Sequence, residues 1–520
     1  MQLKYSLLFL ACLVSAADLS DIDQLKAQLV AQQEQINQLR NMVDAQQRLL
    51  ERMLPAQPAP IEQKKEPPSP HIPQQAKGLM TADAPAPDSP LTISLGQVHI
   101  TPLGFVDFTA MLRNKTVASG LPTNFGALPF SDTVNGNLSE YRLSSQHSRL
   151  GARIDTRILG TNLTGYLETD FLGFVPGNAT VTSNSDGLRL RLYFLDLRKD
   201  KFEGMAGQSW SLLTPGRKGI SPLPSDLFST QNLDPNYQVG LVWARDPQLR
   251  FVYHPTQTVA MAVSLESAEQ YGGGSSGAAA ITLPSKLVSS YSNQLNLGSG
   301  GVSIPSPNQD VIAKVAFDPS AAVHAEFAGV LRRFAFYNPL TDRSFRATGG
   351  GVSFNASLEL IKNLRLYTNN YYSNGGGRYV FGLGPDLIIN DDGSPSLVRA
   401  MSTVTGVEYQ LQPKTLFYAY YGGAYFKRAV ALDYATGLPV GFGYSGSPDG
   451  HNRAIQQATA GLSRVFWRNP SFGTLQFGAQ YSYIFRNPWY AAPGHPASAT
   501  LNTVYLNLRY LLPGSPPSYR

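Results

Sequence analysis

From about residue 91 to residue 513, apolar and polar side chains alternate in segments of roughly ten to fifteen residues. In one segment Val323, Ala325, Phe327, Gly329 and Leu331 share a parity, and His324, Glu326, Ala328 and Arg332 share the other. Later, Leu475, Phe477, Ala479, Tyr481, Tyr483 and Phe485 oppose Thr474, Gln476, Gln480, Ser482 and Arg486. Near the end, Val504, Leu506, Leu508 and Tyr510 oppose Thr503, Tyr505, Asn507 and Arg509. A period of two sends successive side chains to opposite faces of a strand. Strands this long cross a bilayer at a tilt, whereas a soluble sandwich more often alternates over shorter strands.

The connections carry a second pattern. Short turns at 198–201, 255–258, Lys362-Asn363 and Pro413-Lys414 alternate with long loops at about 114–140, 213–238, 268–308, 373–397 and 427–452. Tight hairpins at one end and long loops at the other are the connectivity of a membrane β-barrel. This alternation predicts sixteen strands, enough to leave an aqueous lumen. The count requires 242–253 to be one strand, bulged at Asp246-Pro247, because two strands there would put the 268–308 loop at the wrong end. The expected fold is therefore an all-β transmembrane barrel of sixteen antiparallel strands, over 91–513.

Ahead of the barrel the period changes to seven. Ile22, Leu29, Ile36, Val43 and Leu50 stand at a positions, and Leu25, Gln32, Leu39, Gln46 and Met53 at d. Five heptads predict an α-helical coiled coil over 18–54, which serves as the oligomerisation element. Ser20 and Asp23 resemble a capping box, and Pro55 ends the helix. The heptads leave dimer against trimer open; mostly β-branched a positions with Leu at d would suit a dimer. Residues 55–90 hold ten prolines and no apolar period, which predicts an extended linker reaching on the order of 100 Å. Residues 514–520 form a polar tail after the last strand.

Residues 1–17 read as a secretory signal: Lys4, then apolar residues 5–14, then Ser15-Ala16-Ala17. Cys12, the single cysteine, lies inside it, so the expected mature chain has no thiol chemistry. Loss of Lys4 takes the formal charge from +6 to +5, too small an excess over this length for a nucleic-acid partner. Beyond the signal no run of 18 apolar residues occurs, so no helix is expected to span a bilayer. The mean hydropathy of −0.16 fits a barrel whose strands are half polar.

Enzyme motifs do not emerge. The sequence Gly273-Gly274-Ser275-Ser276-Gly277 has nucleophile-elbow spacing but lies in a Gly/Ser-rich loop. His147 and His324 fall on lumen parity, where hydrated side chains are expected, and neither a metal site nor a cofactor is expected. The basic residues are more telling. Leu150, Ala152 and Ile154 face lipid in the second strand, which turns His147, Arg149, Arg153 and Asp155 inward. Leu190, Leu192 and Phe194 are expected outward in the fourth, leaving Arg189, Arg191 and Tyr193 inward. The third strand sends in Tyr166, Glu168 and Asp170; Arg113, Arg250, Lys314, Arg332 and Arg365 are further lumen candidates. Guanidinium groups offer two parallel donors to a carboxylate and stay charged, so such a wall concentrates anions. In the opposing reading Arg149 and Arg153 only neutralise Glu168 and Asp170. Arg189, Arg191 and Arg250, with fewer evident partners, are then the selectivity residues. The loop after Trp210 carries Arg217 and Lys218; folded inward it narrows the lumen, folded outward it is surface.

These residues resemble the DcaP-like porins, a family associated with dicarboxylic-acid uptake. The local marks are Gly104-Phe105-Val106-Asp107-Phe108, Ser148-Arg149-Leu150-Gly151 and Glu168-Thr169-Asp170-Phe171. Gly207-Gln208-Ser209-Trp210-Ser211 and Arg245-Asp246-Pro247-Gln248-Leu249-Arg250 follow in order. The resemblance covers nearly the whole chain. It implies a homotrimer of sixteen-stranded barrels in outer-membrane lipid, an N-terminal region in the periplasm, and passive passage of small anionic solutes. The chain departs from the usual barrel in ending on Pro513 to Arg520 rather than on an aromatic strand residue. Two other functions remain in view: a general, non-selective porin, and a tether that joins the outer membrane to peptidoglycan through the coiled coil.

Overall fold

The structure is a computed structural model that describes residues 89–173, 187–228, 230–298 and 304–514. The chain divides into two compact units, 1–76 and 77–520, and the description below concerns the second. The expected signal peptide, the coiled coil with its Ile22 to Leu50 seam, nearly all of the linker and residues 515–520 of the tail lie outside the described residues.

Among the described residues, sixteen antiparallel strands form the wall. They are β1 (Val98–Arg113), β2 in two pieces (Glu140–Ser144 and Arg149–Ile158), β3 (Thr161–Gly173) and β4 (Gly187–Lys199). Next come β5 (Phe202–Trp210), β6 (Arg245–Tyr253), β7 (Val259–Ser267), β8 (Gln309–Ser320), β9 (Val323–Asn338) and β10 (Arg343–Ile361). The last six are β11 (Leu364–Asn374), β12 (Arg399–Gln412), β13 (Thr415–Phe426), β14 (Asn452–Asn469), β15 (Gly473–Pro488) and β16 (Ala499–Leu511). Each strand pairs with its sequence neighbour. β16 closes the sheet on β1, in register from Phe105 opposite Leu511 to Arg113 opposite Thr503. Closure leaves no strand edge to be satisfied in a bilayer. No helix of the described residues is long and apolar enough to cross a membrane; the crossing is made by strands.

The outer face is an apolar belt. In β16, Val504, Leu506 and Leu508 are about two-fifths exposed, while Thr503, Tyr505 and Asn507 are buried. In β9, Phe327 and Leu331 face out, and His324, Glu326 and Arg332 face in. Phe202 and Tyr253 stack 5.2 Å apart near the short-turn end, an interfacial aromatic pair. An apolar surface that continues from strand to strand belongs against lipid.

Two expectations about the wall are corrected. In β4 the register slips between Glu168 opposite Leu192 and Thr169 opposite Leu190. The extra residue reverses the parity beyond Arg191: Leu192 and Phe194 turn in, and Tyr193 turns out. Phe194 then stacks on Tyr166 of β3 at 5.4 Å. In β6 the strand starts at Arg245, not at 242, and Asp246 and Pro247 lie in an unbroken ladder opposite Ser209 and Gln208. Pro247 is accommodated there because it stands near the start of the strand, before the ladder to β7 begins at Gln248.

At the long-loop end, residues 268–298, 375–398 and 427–451 share an apolar core. Leu283, Leu287, Tyr291, Leu387, Ile389 and Phe442 belong to it. Gly273, Gly274 and Gly277 adopt positive φ in this region, and a Cβ on Gly277 would meet the Ala127 backbone at 2.7 Å. The Gly/Ser segment is thus packed loop, without a strand–turn–helix context.

Candidate functional site

Residues 211–244, between β5 and β6, cross the lumen. From one wall, Glu266 of β7 accepts from Leu212 N (2.7 Å), Glu326 of β9 from Gly216 N (3.1 Å) and Asp318 of β8 from Gly219 N (2.9 Å). From the other, Gln480 of β15 accepts from Leu233 N (2.6 Å), Gln457 of β14 from Val239 N (2.8 Å) and Asn369 of β11 from Val242 N (3.1 Å). Irregular backbone inside a barrel needs a partner for each buried N–H, and inward polar side chains supply them. At Gly240 (φ +88°) an added Cβ would lie 2.3 Å from Thr403 O and 2.6 Å from Gly423 O, so only glycine lets the loop approach the wall this closely.

Arg217 anchors the descending limb of this loop. Its guanidinium donates to both oxygens of Glu408 in β12 (3.0 and 2.8 Å) and to the Tyr367 hydroxyl. Tyr367 and Tyr420 donate to the same carboxylate at 3.0 and 2.6 Å. Glu408 is thereby saturated by three partners, the arrangement a buried ion pair requires.

Beside the loop lies a cavity of about 170 Å³. Its charged lining is Arg149, Arg217 and Arg509 with one carboxylate, Glu168, and it also includes His147. Much of the remainder is aromatic, including Phe105, Tyr166, Trp210, Phe228, Tyr237 and Trp243. Phe105 holds Arg509 at 4.2 Å and Arg149 at 5.4 Å from its ring centre. Arg509 is tied to Asp107 (2.8 Å). Arg149 is held more loosely, 3.6 Å from Glu168, and its Nε is buried without a hydrogen-bond partner. Trp243 Nε1, on the same lining, is a second such donor.

The candidate arginines separate into distinct environments. Arg149, Glu168 and Arg217 are brought together at this cavity. Arg189 and Arg191 are not short of partners, contrary to expectation: Arg189 meets Asp170 at 2.8 Å, and Arg191 meets Glu168 at 2.6 Å and Asp170 at 2.7 Å. Arg153 pairs with Asp155 (2.8 Å), not with Glu168 or Asp170. Arg250 is buried and spends its donors on Trp210 O (2.6 Å) and Gln248 (2.9 Å). Arg332, 1% exposed, is locked between Asp310 (2.9 Å) and Asp386 (2.5 Å) under the outer loops. Lys218 lies apart, on a second cavity at the short-turn end. His147 and His324 are packed rather than hydrated: His147 lies edge-on to Phe105, and His324 bonds Asp318 at 2.7 Å. One cause accounts for most of these differences. The crossing loop and the outer loops occupy lumen that strand parity treats as open water, and a buried charge must then find a partner.

Two cations escaped the sequence reading as site residues. Arg509 was visible as inward-facing, but nothing marked it as part of a cavity. Arg245 has the parity of the exposed Leu249, yet its guanidinium sits 5.5 Å above Trp210, with Arg191 5.8 Å from the same ring. Its Nη1 is buried without a hydrogen-bond partner. The neighbouring Trp243 and Trp210 were the available signal, since aromatic faces recruit arginine. Among the described residues no grouping of His, Cys, Asp and Glu fits a metal ion.

A closed sixteen-stranded barrel with an inward third loop defines the class: a transmembrane barrel of the porin type. Among solved structures the chain is similar to the outer membrane channel DcaP of Acinetobacter baumannii. The identity is 17%, the match covers 80% of this chain and 98% of that one, and the TM-score is 0.57; the barrel is DcaP-like in fold. Similarity extends to an anion-selective porin from Comamonas acidovorans (14% identity, 80% and 99% covered, TM-score 0.44). OmpT of Vibrio cholerae is a further case (12%, 81% and 99%, 0.43). No protein-family profile and no curated protein matches the chain.

Proposed function

We propose that this chain is an outer-membrane porin through which small hydrophilic solutes diffuse passively, with a preference for anions such as dicarboxylates. The observation that carries the reading is the cavity beside the crossing loop, where Arg217 and Arg509 are matched by carboxylates behind the wall while Arg149 shares Glu168 with Arg191 and retains an unused donor. A cationic lining between low-dielectric walls raises the local anion concentration and lowers that of cations. The carboxylates behind it, Asp107 and Glu408, hold Arg509 and Arg217 in place. In this reading three chains associate as a homotrimer, and the heptads of 18–54 join them in the periplasm.

The test is a planar-bilayer recording of the purified protein under a KCl gradient. A reversal potential on the chloride side, reduced by Arg149→Gln, supports the reading. A potential on the potassium side overturns the anion preference while leaving the porin fold untouched.

A further inference from the structure

The second cavity has no part in the site above. It lies at the short-turn end, where the turns after β2, β4 and β6 meet the lowest point of the crossing loop, and it encloses about 560 Å³. Five basic side chains line it, Arg157, Arg198, Lys199, Lys201 and Lys218, against two carboxylates, Asp200 and Asp318. The lining therefore carries an excess of three positive charges, not counting His254.

The carboxylates do little to cancel that excess. Asp318 already accepts from His324 (2.7 Å) and from Gly219 N (2.9 Å). Glu203, just behind the cavity, serves His254 (3.0 Å) and lies 3.8 Å from Arg198. Among the described residues no carboxylate oxygen lies within 4.0 Å of Arg157, Lys199, Lys201 or Lys218. Asp226 is the further acid whose field reaches Lys218. In the wall, Arg157 and Arg198 both stand opposite Asn162, so they share one face, two strand spacings or about 10 Å apart. Lys218 comes to the same space from the loop, not from the wall. Like charges converging on one concavity repel unless an anion sits between them.

We infer that this cavity is an exit-side binding site for small polyvalent oxyanions, such as inorganic phosphate, separate from the arginine cavity. It takes its periplasmic orientation, and only that, from the porin reading. Arg157 and Arg198 contribute forked donors from the wall, Lys218 adds a point charge from the loop, and Lys201, whose ammonium donates to Pro255 O (3.0 Å), adds another from the turn. A solute leaving the arginine cavity meets this second cationic station before the periplasm. Polyvalent anions added from the periplasmic side meet it first.

The experiment is single-channel recording of the full chain in KCl, with inorganic phosphate added to one face at a time. Orientation is fixed by avidin capture of a biotin on Leu340→Cys, in the turn at the opposite end. Phosphate on the short-turn face is expected to reduce the current at a concentration at least tenfold lower than on the loop face. Lys218→Gln and Arg157→Gln should each raise the half-blocking concentration about tenfold, and Lys218→Arg should restore it. Equal block from the two faces, or unchanged block in both Gln variants, overturns the site. A channel that prefers potassium yet keeps face-specific phosphate block refutes the anion-porin reading and sustains the exit site.

Discussion

Arg217 is the most direct handle on the crossing loop. Its guanidinium and the Glu408 carboxylate are 9% and 8% exposed, so solvent screening does little to weaken them. Arg217→Met keeps the length and the apolar contact with Phe228 but leaves Glu408 charged, buried and held only by two tyrosines. Breaking one side of such a pair costs about 3–5 kcal/mol. At about 1.4 kcal/mol per tenfold, the docked limb loses about two to three and a half orders of magnitude in its equilibrium with detached states. The loop should not leave the lumen, because the Gln480, Gln457 and Asn369 contacts on the other limb are untouched. Single-channel recordings of Arg217→Met are therefore expected to show frequent brief current transitions, with anion preference reduced by the bared carboxylate. Glu408→Gln should be noisy for the mirror-image reason. The double variant removes both charges and should return toward quiet, wild-type current, since a buried pair replaced as a whole costs far less than one broken. Quiet current in Arg217→Met, or a double variant noisier than either single one, refutes the account of Arg217 as the anchor.

Other consequences can be checked separately. Arg149→Gln removes one charge from the cavity; for a monovalent ion passing at about 5 Å in a water-like dielectric this is about 0.8 kcal/mol against the anion and as much in favour of the cation, or about fifteenfold in anion-over-cation permeability, read from the reversal potential. Asp170→Asn should shift that potential the opposite way, because Arg189 loses its carboxylate while Arg191 keeps Glu168. Gly240→Ala forces both a strained φ and a backbone clash, so limited proteolysis should cut within 211–244 in the variant and spare the wild type. In the outer loops, backbone N–H groups of Ser285 and Ala435 hold the Asp433 carboxyl down to about 2. A depressed value stabilises above the ordinary Asp range and is lost as pH falls through about 2. The protection factor of the Ser285 amide, its exchange rate relative to the intrinsic rate at each pH, should therefore fall between about pH 4 and 2 and stay constant above that window.

The wall was legible because its rule is local. Strand parity is a property of ten consecutive residues, and the choice between lipid and interior is made at each one, as β9, β15 and β16 show. The β4 bulge was not legible: the polar–apolar string Arg189 to Phe194 alternates without a break, and only pairing with β3 shows that Arg191 and Leu192 together oppose Glu168. The partners of Arg189, Arg191 and Arg332 were hidden for a related reason. Asp170 reaches two arginines across one strand pair, but Asp386 reaches Arg332 from a loop more than fifty residues away. Parity states which side a residue faces; it is silent on what else occupies that side.

That silence points to how the lumen is built. The acceptors on the wall, Glu266, Asp318, Glu326, Glu408, Gln457 and Gln480, face inward as a water-filled tube would require, and each also receives a donor from the crossing loop. The same polar residues thus satisfy two demands, hydration of the lumen and support of the loop. Sequence shows the first and cannot tell it from the second. The arginines divide along this line. Where a carboxylate also faces the loop or the neighbouring strand, as at Arg191, Arg217 and Arg332, the positive charge is structural. Where the nearest carboxylate is shared or distant, as at Arg149 and the Lys218 cluster, charge is left for a solute. Selectivity in this barrel is accordingly a matter of surplus: it is set by the few cations that the loop and its acceptors leave incompletely matched, not by the number of arginines that face inward.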